Sequence, residues 1–197
     1  MRNAFREWAV IVDALGQGEQ ILILRKGGIA EANGGFRVDH QNSLLLPTLF
    51  HQQRDSVIPT AQDRFDELQP TLPPADRLRI EFAASAAGWW KLGSLEDARQ
   101  LKGQHIWRDE VIENRFAWGR EESIYVLALR VSRLRTAVEL PNLPDYGGCR
   151  SWVELAEKVS VQGAKPVLSD RAFASKMNDL IRRLEPVGTR VVSPKSV

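Results

Sequence analysis

Basic, acidic and imidazole side chains follow a short apolar run in the N-terminal half of this chain of 197 residues. The run, residues 21–24, is typical of a buried strand, and it leads straight into a polar segment that begins at Arg25. Sites are often built in this way, with a rigid element feeding a functional loop. The candidate catalytic residues of this segment are Lys26, Glu31, His40 and His51.

An ammonium group, a carboxylate and two imidazoles suffice for general acid–base work, including phosphodiester cleavage. In this interpretation His40 or His51 is the base, Lys26 stabilises charge and Glu31 orients the other groups. Lys26 and the backbone amides of the two glycines after it could also contact a phosphate. The segment is not a Walker loop, which needs spaced glycines before Lys-Ser or Lys-Thr. The alternative is an ordinary glycine turn with surface charges.

Arginines and tryptophans provide a second set of candidates, for contacts with nucleic acid. An arginine neutralises a phosphate, and an indole ring stacks on a base. For the tryptophans the alternative is packing at the edge of the core, with the indole N–H hydrogen-bonded. The candidates are Arg25, Arg130, Arg133, Trp107, Trp118 and Arg150.

The charge of the chain is unevenly distributed. The formal net charge is only +2, but residues 165–197 contain seven Lys or Arg against three Asp or Glu. A locally basic tail is compatible with polyanion binding, and equally with a solvated helix face.

The histidines and the single cysteine limit the other kinds of chemistry. His40 and His51 lack the spacing of zinc ligands, so no metal site is assigned. No cofactor is predicted either, and a divalent metal held by carboxylates stays open. Cys149 as a thiolate nucleophile and His105 as a reactive imidazole are each weighed against a packing role.

The same cysteine count excludes a disulfide framework, which favours a reducing, cytoplasmic setting. The N-terminus does not have the pattern of a signal peptide, and no apolar run approaches the length that spans a bilayer. We therefore expect no association with a membrane.

Hydrophobic periodicity predicts a single α+β domain over residues 1–164, followed by a basic helix and tail over 165–197. For residues 5–15, a helix is favoured over a buried strand, because Phe5, Trp8, Val12 and Leu15 have helical spacing. The other predicted strands are 20–25, 43–46, 78–86 and 124–134, and the other predicted helices are 63–68, 94–101, 108–118 and 169–184.

Several motifs, in order, resemble the bacterial proteins catalogued as domain of unknown function 1802. The resemblance covers about residues 5–158 and implies no catalytic residue, because the family has no established activity. It implies an association with DNA modification or defence. The motifs are Glu7-Trp8-Ala9-Val10, Leu24-Arg25-Lys26-Gly27-Gly28-Ile29, Phe36 with His40, Pro47-Thr48 with His51-Gln52, His105-Ile106-Trp107 and Tyr146-Gly147-Gly148-Cys149-Arg150-Ser151-Trp152.

The order of strands and helices is also similar in outline to PUA-like domains, including ASCH and EVE domains. That resemblance implies a small mixed β-barrel with short helices and a C-terminal amphipathic helix, in a class that binds nucleic acid or modified bases. The ASCH signature Gly-x-Lys-x-x-Glu-x-Arg is not met, because Lys26 and Glu31 are five residues apart.

The sequence therefore predicts a protein that engages nucleic acid through residues 25–31 and that could cleave it as a nuclease. Two alternatives remain open. One is an enzyme acting on a small phosphorylated or nucleotide-like molecule at the same segment. The other is an interaction subunit without chemistry that docks a protein partner through residues 169–184.

Overall fold

The computed structural model describes residues 1–26, 38–49, 53–119, 121–148, 150–185 and, as backbone, 189–190. Glu31, His51 and Cys149 lie outside these residues. Eight strands form one mixed sheet, which curls into a half-barrel. The strands are β1 Asn3–Trp8, β2 Leu22–Arg25, β3 Asn42–Thr48, β4 Arg77–Leu92, β5 Ile124–Pro141, β6 Trp152–Glu154, β7 Lys165–Pro166 and β8 Thr189–Arg190.

Five helices pack on or beside this sheet: α1 Ala9–Gly16, α2 Pro59–Leu68, α3 Leu95–Arg99, α4 Asp109–Ala117 and α5 Asp170–Leu184. Two of them, α3 and α5, begin with a capping serine. Ser94 accepts a hydrogen bond from Asp97 N at 3.1 Å, and Ser169 accepts one from Ala172 N at 3.2 Å. Each cap satisfies an amide that the first helical turn leaves without a partner.

The strand order is β2-β5-β4-β3-β1-β6, with β7 paired to β5 and β8 paired to β4. Only β1 and β3 run parallel, and the long antiparallel pair β4 and β5 forms the centre. Their register shifts twice, between Ile80 and Phe82 and between Ala86 and Gly88. Such bulges bend strands and increase twist, so they account for part of the curling of the sheet.

The α+β prediction is confirmed, as is the C-terminal amphipathic helix. Leu180 and Leu184 of α5 are fully buried in the main core, with Phe173, Met177 and Ile181 packed against it. This packing occupies the apolar face that would otherwise be offered to a partner.

The prediction of a helix from residue 5 was wrong for the first part of the segment. Residues 3–8 form β1, because pairing with β3 and β6 satisfies their backbone hydrogen bonds. Only α1 is helical, and it is buried on nearly every side. Phe5 and Glu7 both point into the half-barrel, which a period of two explains and a helical period does not.

Candidate functional site

Glu7 and Arg25 form an ion pair inside the half-barrel. Glu7 is only 2% exposed, and its Oε2 lies 3.6 Å from Nη2 of Arg25 at the end of β2. Arg25 also donates to the carbonyl of Arg6, and its guanidinium carbon lies 4.6 Å from the centre of the Phe5 ring. The pair thus joins β2 to β1.

A second arginine reaches the same place from α4. The guanidinium carbon of Arg115 lies 4.8 Å from the centre of the Trp8 ring and 5.0 Å from the centre of the Trp107 ring. Its Nη1 donates to the carbonyl of Leu24 at 3.0 Å. Burial lowers the pKa of Arg115 to about 10, an effect that Glu7 opposes and Arg25 reinforces. The guanidinium therefore still carries its charge at neutral pH.

We call this group the arginine–tryptophan site: Glu7, Arg25 and Arg115 with Trp8 and Trp107. Several of its polar atoms have no hydrogen-bond partner among the described residues, namely Glu7 Oε2, Arg25 Nε and Trp107 Nε1. Leaving a polar atom unpaired in the interior costs about 1–3 kcal/mol. Two of these atoms are donors and one is an acceptor, and they lie beside indole rings and guanidinium planes. This combination suits a planar polar ligand.

Gln53 adds another acceptor beside this site. It is 1% exposed, and its Nε2 donates to the carbonyl of Thr48 at 2.8 Å, while its Oε1 has no partner among the described residues. Thr48 in turn donates from its hydroxyl to the carbonyl of Glu7 at 3.1 Å. The polar lining therefore extends from Glu7 of β1 through Thr48 of β3 to Gln53.

Lys26 is placed as an anchor. Its ammonium donates to the carbonyls of Phe116 at 2.8 Å and Ser123 at 2.9 Å, and also to that of Glu121. Burial lowers the pKa of Lys26, and the charges of Glu121 and Glu122 oppose that effect. With its donors used in this way, Lys26 ties the end of β2 to the turn after α4.

His40 joins the other side of the site through two rings. Its ring centre is 5.4 Å from that of Trp152, which is 4.8 Å from that of Phe5. Nδ1 of His40 also lies 3.1 Å from the side-chain nitrogen of Asn3. Since Arg25 lies over Phe5, the sequence-predicted residues Arg25 and His40 belong to one continuous lining.

Trp118 and Arg150 stand at the surface. Trp118, directly after α4, is 51% exposed. It lies in the turn between Phe116 and Ser123, whose carbonyls accept hydrogen bonds from Lys26. Arg150 is exposed, and its carbonyl accepts from Arg6 at 3.4 Å. Trp107, by contrast, is only 1% exposed. Of the two predicted stacking residues, Trp118 is therefore the accessible one.

Arg130 and Arg133 lie away from this group. Arg25 pairs with Tyr125, so Arg130 is about 17 Å and Arg133 about 26 Å further along β5. Arg130 pairs with Asp170 at 2.6 Å and lies over Phe173. Arg133 likewise forms an ion pair, with 3.2 Å between its Nη1 and Glu81 Oε2, and its guanidinium lies over the Phe82 ring.

Glu7 and Arg115 are the residues that sequence reasoning missed. Each carried a signal, because each is a charged residue at an apolar position. Glu7 occupies the buried face of β1, two residues from Phe5, and Arg115 follows Ile112 by three positions on the buried face of α4. Buried charges are rare unless paired, so either position could have been marked as half of a pair.

The described part of the chain contains no group of three or more His, Cys, Asp or Glu side chains able to hold a metal ion. None of its helices has both the length and the apolar character needed to cross a membrane.

The family model described as "Domain of unknown function (DUF1802)" matches residues 4–179. The chain belongs to this family. The resemblance expected from its motifs is thereby confirmed, and the DUF1802 match includes every described residue of the arginine–tryptophan site. No curated protein matches this chain in sequence.

Two solved structures of the ASCH protein from Zymomonas mobilis are similar in outline. The wild-type protein is 9% identical with a TM-score of 0.45, and its S128A mutant is 11% identical with a TM-score of 0.43. Each comparison covers 90% of this chain and 94% of the other.

The Glu7→Gln variant tests the central ion pair. The amide keeps the shape of the side chain but leaves Arg25 without its ion-pair partner and Arg115 without the charge that favours its protonated form, so the free energy of unfolding should fall by about 3 kcal/mol. Chemical denaturation measures this. Glu113→Gln is the matched control, because Glu113 pairs with Arg99 at the surface, and it should change stability little. Equal effects of the two variants would contradict the buried pair.

The buried imidazole of His105 should make the stability of the protein depend on pH. It is 7% exposed, and its Nδ1 has no hydrogen-bond partner in the described part of the chain. Burial, reinforced by the charge of Arg115, lowers its pKa to about 4. The unfolded chain protonates this imidazole near its ordinary pKa of about 6.5. Between these values the unfolded state binds more protons, so stability should fall as pH drops from 6.5 to 4, by about 3 kcal/mol.

Denaturation of wild type and His105→Phe at pH 7 and at pH 4 isolates this contribution, because the carboxylates titrate in both proteins. The variant should lose less stability than wild type over this range. An identical loss in the two proteins would show that His105 is not held neutral by burial.

Proposed function

We propose that this protein binds nucleic acid and that the arginine–tryptophan site receives an unpaired base. The observation that carries the proposal is the set of buried atoms on Glu7, Arg25 and Trp107 that have no hydrogen-bond partner among the described residues, next to guanidinium planes and indole rings. Single-stranded nucleic acid is recognised by the same combination, in which bases stack on aromatic or guanidinium planes and hydrogen-bond at their edges.

Access supports the same proposal. The side chain of Arg25 is 21% exposed and that of Glu7 is 1% exposed, so the pair has an open side and a closed side. Trp118 is exposed on the turn that Lys26 anchors. A strand that stacks a base on Trp118 would pass the end of β2 next. In this proposal Arg25 contacts the base or its phosphate, and Lys26 positions the turn.

The remaining predicted residues extend the proposal along the surface. Arg130 and Arg133 would hold more distant phosphates, since their present ion pairs are open to solvent at Asp170 and at Arg133 itself and such pairs are weak. The exposed Arg150 would hold another phosphate. Cleavage by His40 with Lys26, Glu31 and His51 is a further outcome of the same experiment, as is a preference for modified DNA.

Anisotropy of labelled single-stranded and double-stranded DNA and RNA, plain and methylated, tests the proposal. We expect binding to single strands that weakens steeply as salt rises, because bound cations release counterions from phosphates. Arg25→Lys keeps the charge beside Glu7 but loses the planar guanidinium, and Trp118→Ala removes the exposed ring. Each should weaken binding about tenfold.

Arg99→Lys is the matched control for Arg25→Lys. Arg99 also forms an ion pair, but on α3, and its variant should bind as wild type does. The same reactions with EDTA, Mg²⁺ or Mn²⁺ report cleavage, which His40→Ala should abolish if it occurs. Wild-type affinity in both Arg25→Lys and Trp118→Ala, or no binding at low salt, would contradict the proposal.

A further inference from the structure

A second feature is a cleft of about 530 Å³, whose lining includes none of the five residues of the arginine–tryptophan site but reaches their neighbours Arg6 and Thr48. We call it the proline cleft. One wall is residues 72–75, the other is residues 142–144 with Tyr146 and Gly147, and its floor is the end of β3 with Leu78 of β4. Its volume is within the range of about 300–1,000 Å³ that small-molecule sites occupy.

The two walls hold each other in place. Asn142 N donates to the carbonyl of Asp76 at 2.8 Å, and Asn142 Nδ2 donates to that of Ala75 at 2.8 Å. Pro73 and Pro74 fix the backbone of one wall, and Pro144 begins a 3₁₀ turn in the other. A cleft with walls fixed in this way loses little entropy when it is filled.

The lining is apolar and open to solvent. The described part of the chain leaves three large apolar side chains exposed, and two of them, Leu49 at 41% and Leu143 at 37%, line this cleft. Exposed apolar side chains that are gathered in one place, rather than scattered, are typical of binding sites.

Arginines provide the charged groups of the cleft. Arg6, Arg77 and Arg79 line it, and no carboxylate stands among its described lining residues. Nη2 of Arg77 lies 3.9 Å from the nearest oxygen of its Glu139 partner, which is too far for a hydrogen bond. Arg79 pairs with Glu81 at 2.9 Å, and both side chains of that pair are solvent-accessible.

We propose that the proline cleft binds a small molecule with an apolar body and one anionic group, such as a carboxylate or a sulfonate. The apolar body packs between the proline walls and covers Leu49 and Leu143. The anionic group meets Arg77 and Arg79, whose fork-shaped donors suit planar oxyanions. This site does not depend on binding of nucleic acid in the half-barrel.

The probe is 8-anilinonaphthalene-1-sulfonate, which has an apolar ring system and one sulfonate, and its fluorescence reports binding to the full chain. We expect saturable binding that octanoate displaces and octylammonium, with the same alkyl chain and the opposite charge, does not. Arg77→Gln with Arg79→Gln should weaken dye binding about tenfold, through loss of two charge-assisted contacts.

Arg54→Gln with Arg99→Gln is the matched control, because these arginines are also exposed and ion-paired but lie outside the cleft. It should bind the dye as wild type does. Leu143→Gln removes an exposed apolar contact with little risk to folding, and it should weaken binding without weakening binding of nucleic acid.

Three results would overturn the proposal. One is equal displacement by octanoate and octylammonium, and another is equal affinity in the two double variants. The third is displacement of the dye by a single-stranded oligonucleotide, which would assign the cleft to the nucleic-acid surface. Binding of nucleic acid by wild type is measured separately, so a failure here leaves that proposal standing.

Discussion

The ion pair between Glu7 and Arg25 joins two strands that the sheet itself keeps apart. In the order of strands, β2 is at one end and β1 is next to the other end, with three strands between them. Curling brings the two together, and the pair holds them there with a further hydrogen bond from Arg25 to Arg6. A buried carboxylate is stabilised by a cation beside it, and Arg25, the last residue of β2, supplies that cation.

The position of Arg115 follows from the same carboxylate. Burial alone disfavours a guanidinium, as its lowered pKa records, and the charge of Glu7 opposes that effect. The Trp8 and Trp107 rings then flank Arg115 and replace part of its lost hydration. Arg25 pairs with the Glu7 carboxylate, and Arg115 is stabilised by its charge. The atoms left without a hydrogen-bond partner among the described residues are the ones that a polar ligand could use. This explains why the site that closes the half-barrel is also the site proposed to bind a base.

Much of the fold could be predicted from the sequence, because strong local patterns decided it. The apolar run in β2, the alternation in β4 and the caps of α3 and α5 are local signals, and the structure contains each element. Residues 3–8 were the exception. Their helical spacing was outweighed by pairing with β3, which lies more than thirty residues further along the chain.

The site was only partly predictable. Arg25 and His40 were singled out because polar residues cluster near the glycines, and they do lie on one lining. Lys26 was chosen for the same reason, yet its ammonium binds main-chain carbonyls of the turn after α4, which no local pattern reveals. Glu7 and Arg115 are 108 residues apart in the sequence, so only the folded chain brings their charges together.

The most direct test of the account observes the unpaired atoms themselves. Nitrogen-15 NMR of arginine Nε–H and tryptophan Nε1–H groups, during titration with a single-stranded oligonucleotide, reports each of them separately. We expect Arg25 Nε and Trp107 Nε1 to shift most and to saturate together with Trp118. Shifts confined to Arg130 and Arg133, with Arg25 and Trp107 unchanged at saturation, would contradict it.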